Sequence, residues 1–503
     1  MAEPFNLADY YVFSNVEAGR GAKTAILFED QAITYAEVAD KVSAVAAQLI
    51  AGGLLPEQRV LLCMQDRPEF VYAWFGALKA GAVVTQVNPL LPVADYSYYL
   101  GYVKPQFAFV DEASVAAFGA AHAGSRFQPE VITAEGFEAW LTGRRADAEP
   151  WPTCRDDPAV WLFTSGSTGQ SKGAVHTHAH FPFNTEVYAQ DFIGVREDDI
   201  TLSGARLYFG YATGTNLMFP FSVGATTILF RDAPTAERLF GLIERHRPTV
   251  LTAVPTLINR MLEADIAKPD LSSLRFAWSA GEALPRELHR RWDETFGVAV
   301  IDGIGSAESF HIYISNRPGD IRPGSLGKLV PGYEAKLLDD QGAPVPAGGV
   351  GTLHIRGDSA ALYYHADYAK SVEHLRGGWI VSGDKFRQDE DGYWYFEGRG
   401  DDLIKSGGIY VSPVEVEACL TEHPAVRECC VLGKADANGL EKPFALVVPV
   451  DGHDATTLAD ELIAFAKARL ARYKVPHAVA FRTEALPRND RDKIDRKRLR
   501  KEI

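Results

Sequence analysis

Residues 163–173 read FTSGSTGQSKG: three glycines, a run of serines and threonines, and one lysine. Such a loop suits a polyphosphate. Glycine lets backbone N–H groups approach a ligand closely, and short hydroxyls add donors. Lysine supplies a mobile point charge for phosphate oxygens. A solvated Gly/Ser linker has a similar composition, but the apolar run AVWLFT reads as a buried strand feeding the loop. The Walker A pattern is excluded, because Lys172 stands between Ser171 and Gly173. Four other stretches pair small residues with charge: WSAGEALP (278–285), DGIGSAES (302–309) with Glu308, WIVSGD (379–384) ending a strand in Asp384, and GRGDDLIKSGGIYVSPVEVE (398–417) with Arg399, Asp401 and Lys405. Each alone reads as an ordinary turn. In VHTHAH, His176, His178 and His180 alternate, but no carboxylate or cysteine completes a metal set. Neutral packing or a strand-to-helix turn is the expectation there.

The elements that must carry these stretches alternate. TYAEVADKVSAVAAQLIAGG spaces Val38, Val42, Val45 and Leu49 as a helix stopped by a glycine pair; RVLLCM reads as a strand, PEFVYAWFGALKAGA as a helix and VVTQVNP as a strand. Strands alternating with helices to about residue 330 imply α/β layers with largely parallel pairing. From about 331, short strands and turns (YEAKLLDDQG, GTLHIRG, YWYFEGRG) suggest a small β-rich unit. A separate tail holds strands (ECCVLG, FALVVPV, HAVAFR) and a helix with Leu458, Leu462 and Phe465 on one face. The expected domains are 1–400 and 401–503, with GRGDD as linker. At roughly 150 residues per unit, a chain of 503 residues, 47% of them hydrophobic, has ample length for a large core.

A net charge of −15 argues against non-specific nucleic-acid binding. No basic block invites an anionic membrane, no signal peptide is read at the start, and no apolar run of about 18 residues suggests a membrane span. Cys63, Cys154, Cys419, Cys429 and Cys430 form no C-x-x-C pair, which fits reduced thiols in a cytoplasmic protein.

In their order and spacing the five stretches resemble the acyl-adenylate-forming enzymes, over nearly the whole chain from TYAEVADKV to LPRNDRDKIDR (486–496). Within that superfamily the benzoate- and anthranilate-CoA ligases are most similar, through ARLYFGYATG (205–214), GEALP, DGIGSAESFHIYISNRPGD (302–320) and SGGIYVSPVEVE. The resemblance implies an α/β fold: a large N-terminal adenylation domain of two α/β layers plus a small β unit, and a smaller mobile α+β C-terminal domain. It implies ATP, Mg²⁺ and CoA as the acceptor.

By the same resemblance, Thr164, Ser165, Gly166, Ser167, Thr168, Gly169 and Lys172 would wrap the β- and γ-phosphates of ATP. Gly281, Glu282 and Ala283, with Asp302, Gly303, Ile304 and Gly305, would flank the adenine. Glu308 would ligate Mg²⁺, a hard cation suited to carboxylate oxygens. Asp384 would accept from both ribose hydroxyls, with Arg399 near ribose and phosphate. Asp401 would be the hinge, Lys405 and Gly408 would lie on the loop lining the pantetheine tunnel, and Lys493 would be the adenylation lysine. Tyr208, Phe209 and Tyr211 would wall the acid pocket with Ser279 and Ala280, and His311 would lie near its floor. For each aromatic, ordinary core packing is the alternative; for His311 it is a structural histidine.

The implied activity is the conversion of a small aryl acid to acyl-AMP and then to its CoA thioester. The acceptor is left open to a carrier-protein pantetheine or an amine, and the oligomeric state to monomer or homodimer. A non-catalytic nucleotide-binding relative is the remaining reading, because Ala307 replaces the usual threonine of the G-S-T-E turn and lacks its hydroxyl. A further departure is RDK, Arg491-Asp492-Lys493, where T-G-K is usual. If Lys493 is the adenylation lysine, Lys493→Ala should lower pyrophosphate exchange by roughly 100-fold or more while leaving thioester formation from supplied acyl-AMP largely intact. An equal loss in both half-reactions would remove that role.

Overall fold

The structure is a computed structural model describing residues 3–142, 149–165, 170–400, 402–406, 409–435, 441–450, 455–488 and 494–503. Six strands form one sheet, in the order Glu130–Thr133, Phe107–Val110, Arg59–Cys63, Val83–Gln86, Pro158–Ser165 and Ser171–Thr177. All pair in parallel except the last, which folds back on Pro158–Ser165 as a hairpin. Nine strands form a second sheet: Lys328–Leu329, Ile312–Ser315, Val300–Gly305, Phe276–Ser279, Val250–Thr252, Ile200–Ser203, Thr226–Leu229, Thr24–Phe28 and Gln31–Thr34. Its middle is parallel and both ends are antiparallel.

The two-residue period of a strand sends alternate side chains into different layers. In the first sheet Val60, Leu62, Phe107 and Phe109 face a central core, while Leu61, Cys63, Ala108 and Val110 pack beneath the helices Val93–Val103 and Val115–Ala123. In the second, Val250, Phe276 and Ile301 join the same central core. Leu251, Ala277 and Val300 pack against Leu239, Ile258 and Trp292 of the outer helices Ala236–His246, Pro255–Glu263 and Arg286–Phe296. Helices, sheet, helices, sheet and helices are therefore stacked in turn. A continuous apolar strand run, buried on both faces, is the sequence mark of such a sheet.

Between the sheets lie helices Tyr35–Ala51 and Pro68–Lys79. The first begins at Thr34, whose hydroxyl accepts from Glu37 N while Glu37 returns the bond to Thr34 N. Val38, Val42, Val45 and Leu49 are all fully buried, as their spacing predicts. Where the helices cross, Gly76 leaves room for a neighbour: a Cβ there would lie 2.5 Å from Val45 Cβ.

The β-rich unit is a five-stranded sheet of Glu334–Leu338, Gly351–Arg356, Trp379–Gln388, Leu375–Arg376 and Trp394–Arg399. The strand expected to end at Asp384 runs on to Gln388, because Gly351–Arg356 and Trp394–Arg399 pair with its two edges beyond that point. Farther along, Val426–Ala435, Glu441–Pro449 and Ala478–Phe481 form a three-stranded sheet. Cys429, Val431, Ala445 and Val447 pack on one face with Leu458 and Leu462, and Cys430, Leu432, Leu446 and Val448 on the other with Leu499. Phe465, expected on the buried face with Leu458 and Leu462, lies at its edge against His423 and Arg469, and Ala466 takes the buried place. Two α/β layers, a small β unit and a smaller α+β part are the fold class expected from the sequence. All five cysteines are free thiols. Among the described residues no helix is long and apolar enough to cross a membrane.

Gly76→Ala tests the helix crossing. The intrinsic helix gain of alanine is at most about 1 kcal/mol, whereas forcing a methyl into a packed core costs about 1–3 kcal/mol. The variant should unfold at lower urea concentration than the parent; an unchanged or raised midpoint would show that the crossing has slack.

Candidate active site

The hairpin of Pro158–Ser165 and Ser171–Thr177 presents Thr164 opposite Lys172 and Ser165 opposite Ser171. Lys172 Nζ lies 3.7 Å from Asp367 Oδ2 and 5.5 Å from the centre of the Tyr364 ring. Tyr364 donates its hydroxyl to Glu308 Oε1 at 2.7 Å, and Ala361 N donates to the Glu308 carbonyl at 2.7 Å. Burial and the neighbouring Glu308 charge both raise the Tyr364 phenol well above its ordinary pKa, so it stays a donor. The lysine of the hairpin and the carboxylate of the turn are thus gathered about one tyrosine ring.

Glu308 sits on a sharp reversal. Val300–Gly305 ends, a single 3₁₀ turn covers Ala307–Ser309, and Ile312–Ser315 returns antiparallel. Ser306 and Ser309 cap that turn reciprocally. Phe310 then takes φ +68°, a region costly for a bulky side chain, and is only 2% exposed. Its ring packs on Phe181 with centroids 4.4 Å apart, so tertiary contacts hold the strained backbone. Past the reversal, His311 turns away from the lysine hairpin. Its Nε2–H donates to the Tyr211 carbonyl at 3.0 Å, and its ring lies 4.6 Å from Phe219 and 5.5 Å from Tyr211. Gly214 admits that ring: a Cβ there would come within 2.4 Å of it. Burial pushes the His311 pKa down to about 4, so the imidazole is neutral and Nδ1 is an acceptor. Neither that Nδ1 nor the buried Tyr211 hydroxyl has a partner among the described residues.

The loop carrying Tyr208, Phe209 and Tyr211 is clamped from a distant part of the chain. Asp66 Oδ1 accepts from Leu207 N at 2.9 Å, and Gln86 Nε2 donates to Leu207 O at 2.9 Å and to Thr213 Oγ1 at 2.7 Å. Trp74 Nε1–H in turn donates to Gln86 Oε1 at 2.7 Å. Both backbone groups of the residue preceding the aromatics are therefore bonded to buried side chains. Tyr208 is half-buried and Phe209 is 36% exposed at the rim of a small cleft shared with Gln86, Phe163 and Ser171. Gly210 sits against the phosphate strand: a Cβ there would touch Leu162 at 3.5 Å and the Phe310 carbonyl at 3.8 Å. The aromatic loop, hairpin and reversal are contiguous.

Ser279 ends its strand fully buried and donates to Asp302 Oδ1 at 2.8 Å. Burial raises the Asp302 pKa to about 8 against the opposing bonds from Ser279 and Gly303, so this carboxyl is neutral near pH 7. Ala280 is also buried, and Gly281 has φ +86°. The Glu282 side chain turns to Thr256, accepting from its N at 3.1 Å and its hydroxyl at 2.8 Å. Arg488 reaches the same hydroxyl at 3.1 Å while paired with Glu428. In the β-rich unit, Asp384 stands opposite Arg399 in register.

The structure thus brings together Thr164, Lys172, Glu308, Tyr211 and His311, and separately Asp384 and the Arg399 backbone. Gly166, Ser167, Thr168, Gly169, Asp401, Gly408 and Lys493 lie outside the described residues. Ser165, Arg399 and Lys405 are described by their backbone alone. Sequence reading missed Asp66, Gln86 and Tyr364. The one available signal was a polar residue ending a buried run, as Gln86 does in VVTQ.

This layered fold, with a glycine hairpin, a carboxylate turn and an apolar pocket meeting at one reversal, is that of an adenylate-forming enzyme. The chain matches the AMP-binding enzyme family over residues 13–365 and the AMP-binding enzyme C-terminal domain over 415–493, and it belongs to that family. A benzoate–CoA ligase of Thauera aromatica is 39% identical over 507 residues, covering 99% of this chain and 96% of that protein. A 4-hydroxybenzoate–CoA/benzoate–CoA ligase of Rhodopseudomonas palustris is 32% identical, covering 99% and 94%. Among solved structures, the anthranilate CoA ligase AuaEII in complex with anthranoyl-AMP superposes with a TM-score of 0.94 at 37% identity, covering 100% of this chain and 98% of that one. A benzoate CoA ligase from Burkholderia xenovorans LB400 gives 0.91 at 40% identity, covering 99% and 100%.

The clamp on Leu207 generates a direct test. Gln86→Leu leaves Trp74 Nε1 without its bond, worth about 1–3 kcal/mol when buried, and removes one of the two donors to Leu207 O, which keeps the Thr213 hydroxyl. If the clamp positions the aromatic loop, KM for the acid should rise about tenfold or more with KM for ATP little changed, measured by pyrophosphate exchange. A rise in both constants together would make Gln86 a general stability residue.

Proposed function

We propose that this chain is an AMP-forming ligase that activates a small aryl carboxylic acid and transfers the acyl group to CoA. The observation that carries the reading is the reversal at 305–311. Within three residues it bonds Glu308 to Tyr364, beside the lysine hairpin, and turns His311 into an aromatic pocket. Similarity to benzoate- and anthranilate-CoA ligases along the full chain supports it.

The chemistry asks for such a division. A carboxylate is a poor acylating agent, since its leaving group would be oxide. Its oxygen attacks the α-phosphorus of ATP, the bond to the bridging oxygen breaks, and pyrophosphate leaves. The thiol of CoA then attacks the acyl carbon, AMP departs, and the thiol proton passes to solvent or base. The first step brings an anion toward a polyanion and needs positive charge beside it. Lys172, on the hairpin, is assigned to the β- and γ-phosphates, and Lys493 to the reacting centre. Among the described residues no three or more His, Cys, Asp or Glu side chains form a closed metal site. One carboxylate beside phosphate oxygens is how Mg²⁺ is commonly held, so Glu308 fits that ion. When bound, Mg²⁺ offsets phosphate charge as the α-phosphate is attacked.

The backbone of Gly281–Ala283 and Asp302–Gly305 is assigned to the adenine, and Asp384 with Arg399 to the ribose. Asp401 is assigned as the hinge between 1–400 and 401–503, a division consistent with the separate family matches. The Lys405–Gly408 loop is assigned to the pantetheine arm. Carrier-protein transfer uses the same arm and is the second acceptor to test.

The acid is of benzoate type. Tyr208, Phe209, Tyr211, Phe219 and the neutral His311 ring offer flat, mainly apolar walls. No carboxylate appears in RLYFGYATG to pair with the ammonium of an α-amino acid. His311 Nδ1 and the Tyr211 hydroxyl offer partners to a ring hydroxyl or amino group. Steady-state kcat/KM for benzoate, 2-aminobenzoate, 3- and 4-hydroxybenzoate, cinnamate, octanoate and phenylalanine, with ATP and CoA, tests this. A benzoate should exceed octanoate and phenylalanine by at least about 100-fold. Preference for octanoate or phenylalanine would overturn the aryl reading, exchange without acyl-CoA would point to another acceptor, and ATP binding without exchange for any acid would point to a non-catalytic relative.

A further inference from the structure

His176 belongs to the VHTHAH stretch, which the proposed chemistry leaves without a role. It lies on the strand Ser171–Thr177, four residues beyond Lys172, so the two side chains share one face of that strand. Ala174, between them on that face, clusters with Ala361 and Tyr364, the segment that holds Glu308. His176 is fully buried; its Nε2 lies 2.7 Å from the Ala307 carbonyl, and the Ser359 carbonyl is a second backbone acceptor for the ring. A carbonyl only accepts, so Nε2 carries the proton and Nδ1 is the acceptor. His180 Nδ1 stands 3.2 Å from that Nδ1 and must therefore be the donor. Thr177 N approaches the same His180 atom at 3.4 Å, too long to compete. Burial lowers both histidines, His176 to about 3 and His180 to about 4, so the pair is neutral.

The arrangement is a chain of two uncharged imidazoles ending on the peptide next to Glu308. A lysine or arginine there would put a competing cation beside the carboxylate, whereas neutral histidine donates without one. Ala307 has no side-chain hydroxyl with which to anchor the turn, so its carbonyl is the handle.

We propose that His176 is a positioning residue for adenylation: by donating from Nε2 to Ala307 O it fixes the Glu308 turn against the lysine hairpin. The proposal rests on the reading that Glu308 serves MgATP. His176→Leu removes the donor, and His176→Gln restores an amide N–H at similar reach. Three readouts are needed: calorimetric binding of MgATP without acid, KM for MgATP and for the acid in pyrophosphate exchange, and thioester formation from supplied acyl-AMP. His176→Leu should weaken MgATP binding and raise its KM about tenfold, with acid KM within about twofold and the thioester step unchanged; His176→Gln should recover most of the loss. If the leucine variant does not fold, His180→Phe, which removes the donor to His176, should raise the same constant about threefold. Unchanged MgATP constants, or a uniform loss in all three readouts without recovery by glutamine, would overturn the proposal. Glu308→Gln keeps the two readings apart. If it leaves the Mg²⁺ dependence unaltered, the assignment of Glu308 fails; if it alters that dependence while His176→Leu does not, only the role of His176 fails.

Discussion

The site depends on a chain reversal in which a phenylalanine holds a backbone angle of +68°. An L-residue with a large side chain avoids that region unless its surroundings over-determine it. Here they do. Ser306 and Ser309 cap the turn on one side, Phe181 packs on the Phe310 ring, and His176 bonds the Ala307 carbonyl. The result is that Glu308 and His311, three residues apart, take partners from different parts of the molecule. A regular strand sends residues of that spacing to opposite faces about 10 Å apart; here the turn sends one to Tyr364 beside the lysine hairpin and the other into an aromatic pocket within a tight reversal. The ATP side and the acid side of the proposed adenylation step therefore share one reference point.

What was legible in the sequence divides along the same line. The helix Tyr35–Ala51 followed from the spacing of four apolar residues, and three strands of the six-stranded sheet from short apolar runs between turns. Those are local patterns, and burial enforced them. The glycine turns carrying Lys172 and Glu308 were legible too, because close approach and tight reversal demand small residues nearby in sequence. The support was not. Gln86 acts on Leu207 across 121 positions, and His176 on Ala307 across 131. Each is one polar residue inside an apolar segment, with nothing local to say which backbone group it will meet. Asp384 illustrates the intermediate case. Its strand was legible, but the end was misplaced at Asp384, since two antiparallel partners extend the strand to Gln388.

Several buried groups of the site are kept uncharged, although Asp66 faces the Arg206 guanidinium beside the aromatic loop. His176 and His311 are held neutral by burial, and Asp302 is held protonated by the same cause. Desolvation penalises the charged form of each. Neutral buried groups act as fixed dipoles: they orient turns and loops but leave the local field to Lys172, Glu308 and the phosphates. A chain of net charge −15 gains from this economy. More ionised carboxylates near the hairpin would repel ATP, and the paired Asp367 already offsets part of the Lys172 charge.

The same neutrality bears on selection among acids. A wall of apolar rings distinguishes ligands by shape alone, and one methylene more or less changes affinity by only about 1–3 kcal/mol. A buried group that must be hydrogen-bonded discriminates far more sharply, because the wrong ligand leaves it unpaired. Most polar atoms around this pocket are already committed: His311 Nε2 to Tyr211 O, Ser279 to Asp302, and Gln86 to Leu207. The aromatic loop is therefore held by bonds that no acid can compete for, and ring shape sets the first level of selection. His311 Nδ1, the Tyr211 hydroxyl and Trp278 Nε1 stay outside those networks among the described residues. In the proposed reading, selection among ring substituents falls to these uncommitted atoms, of which the Tyr211 hydroxyl can be removed without altering any residue of the reversal that carries Glu308.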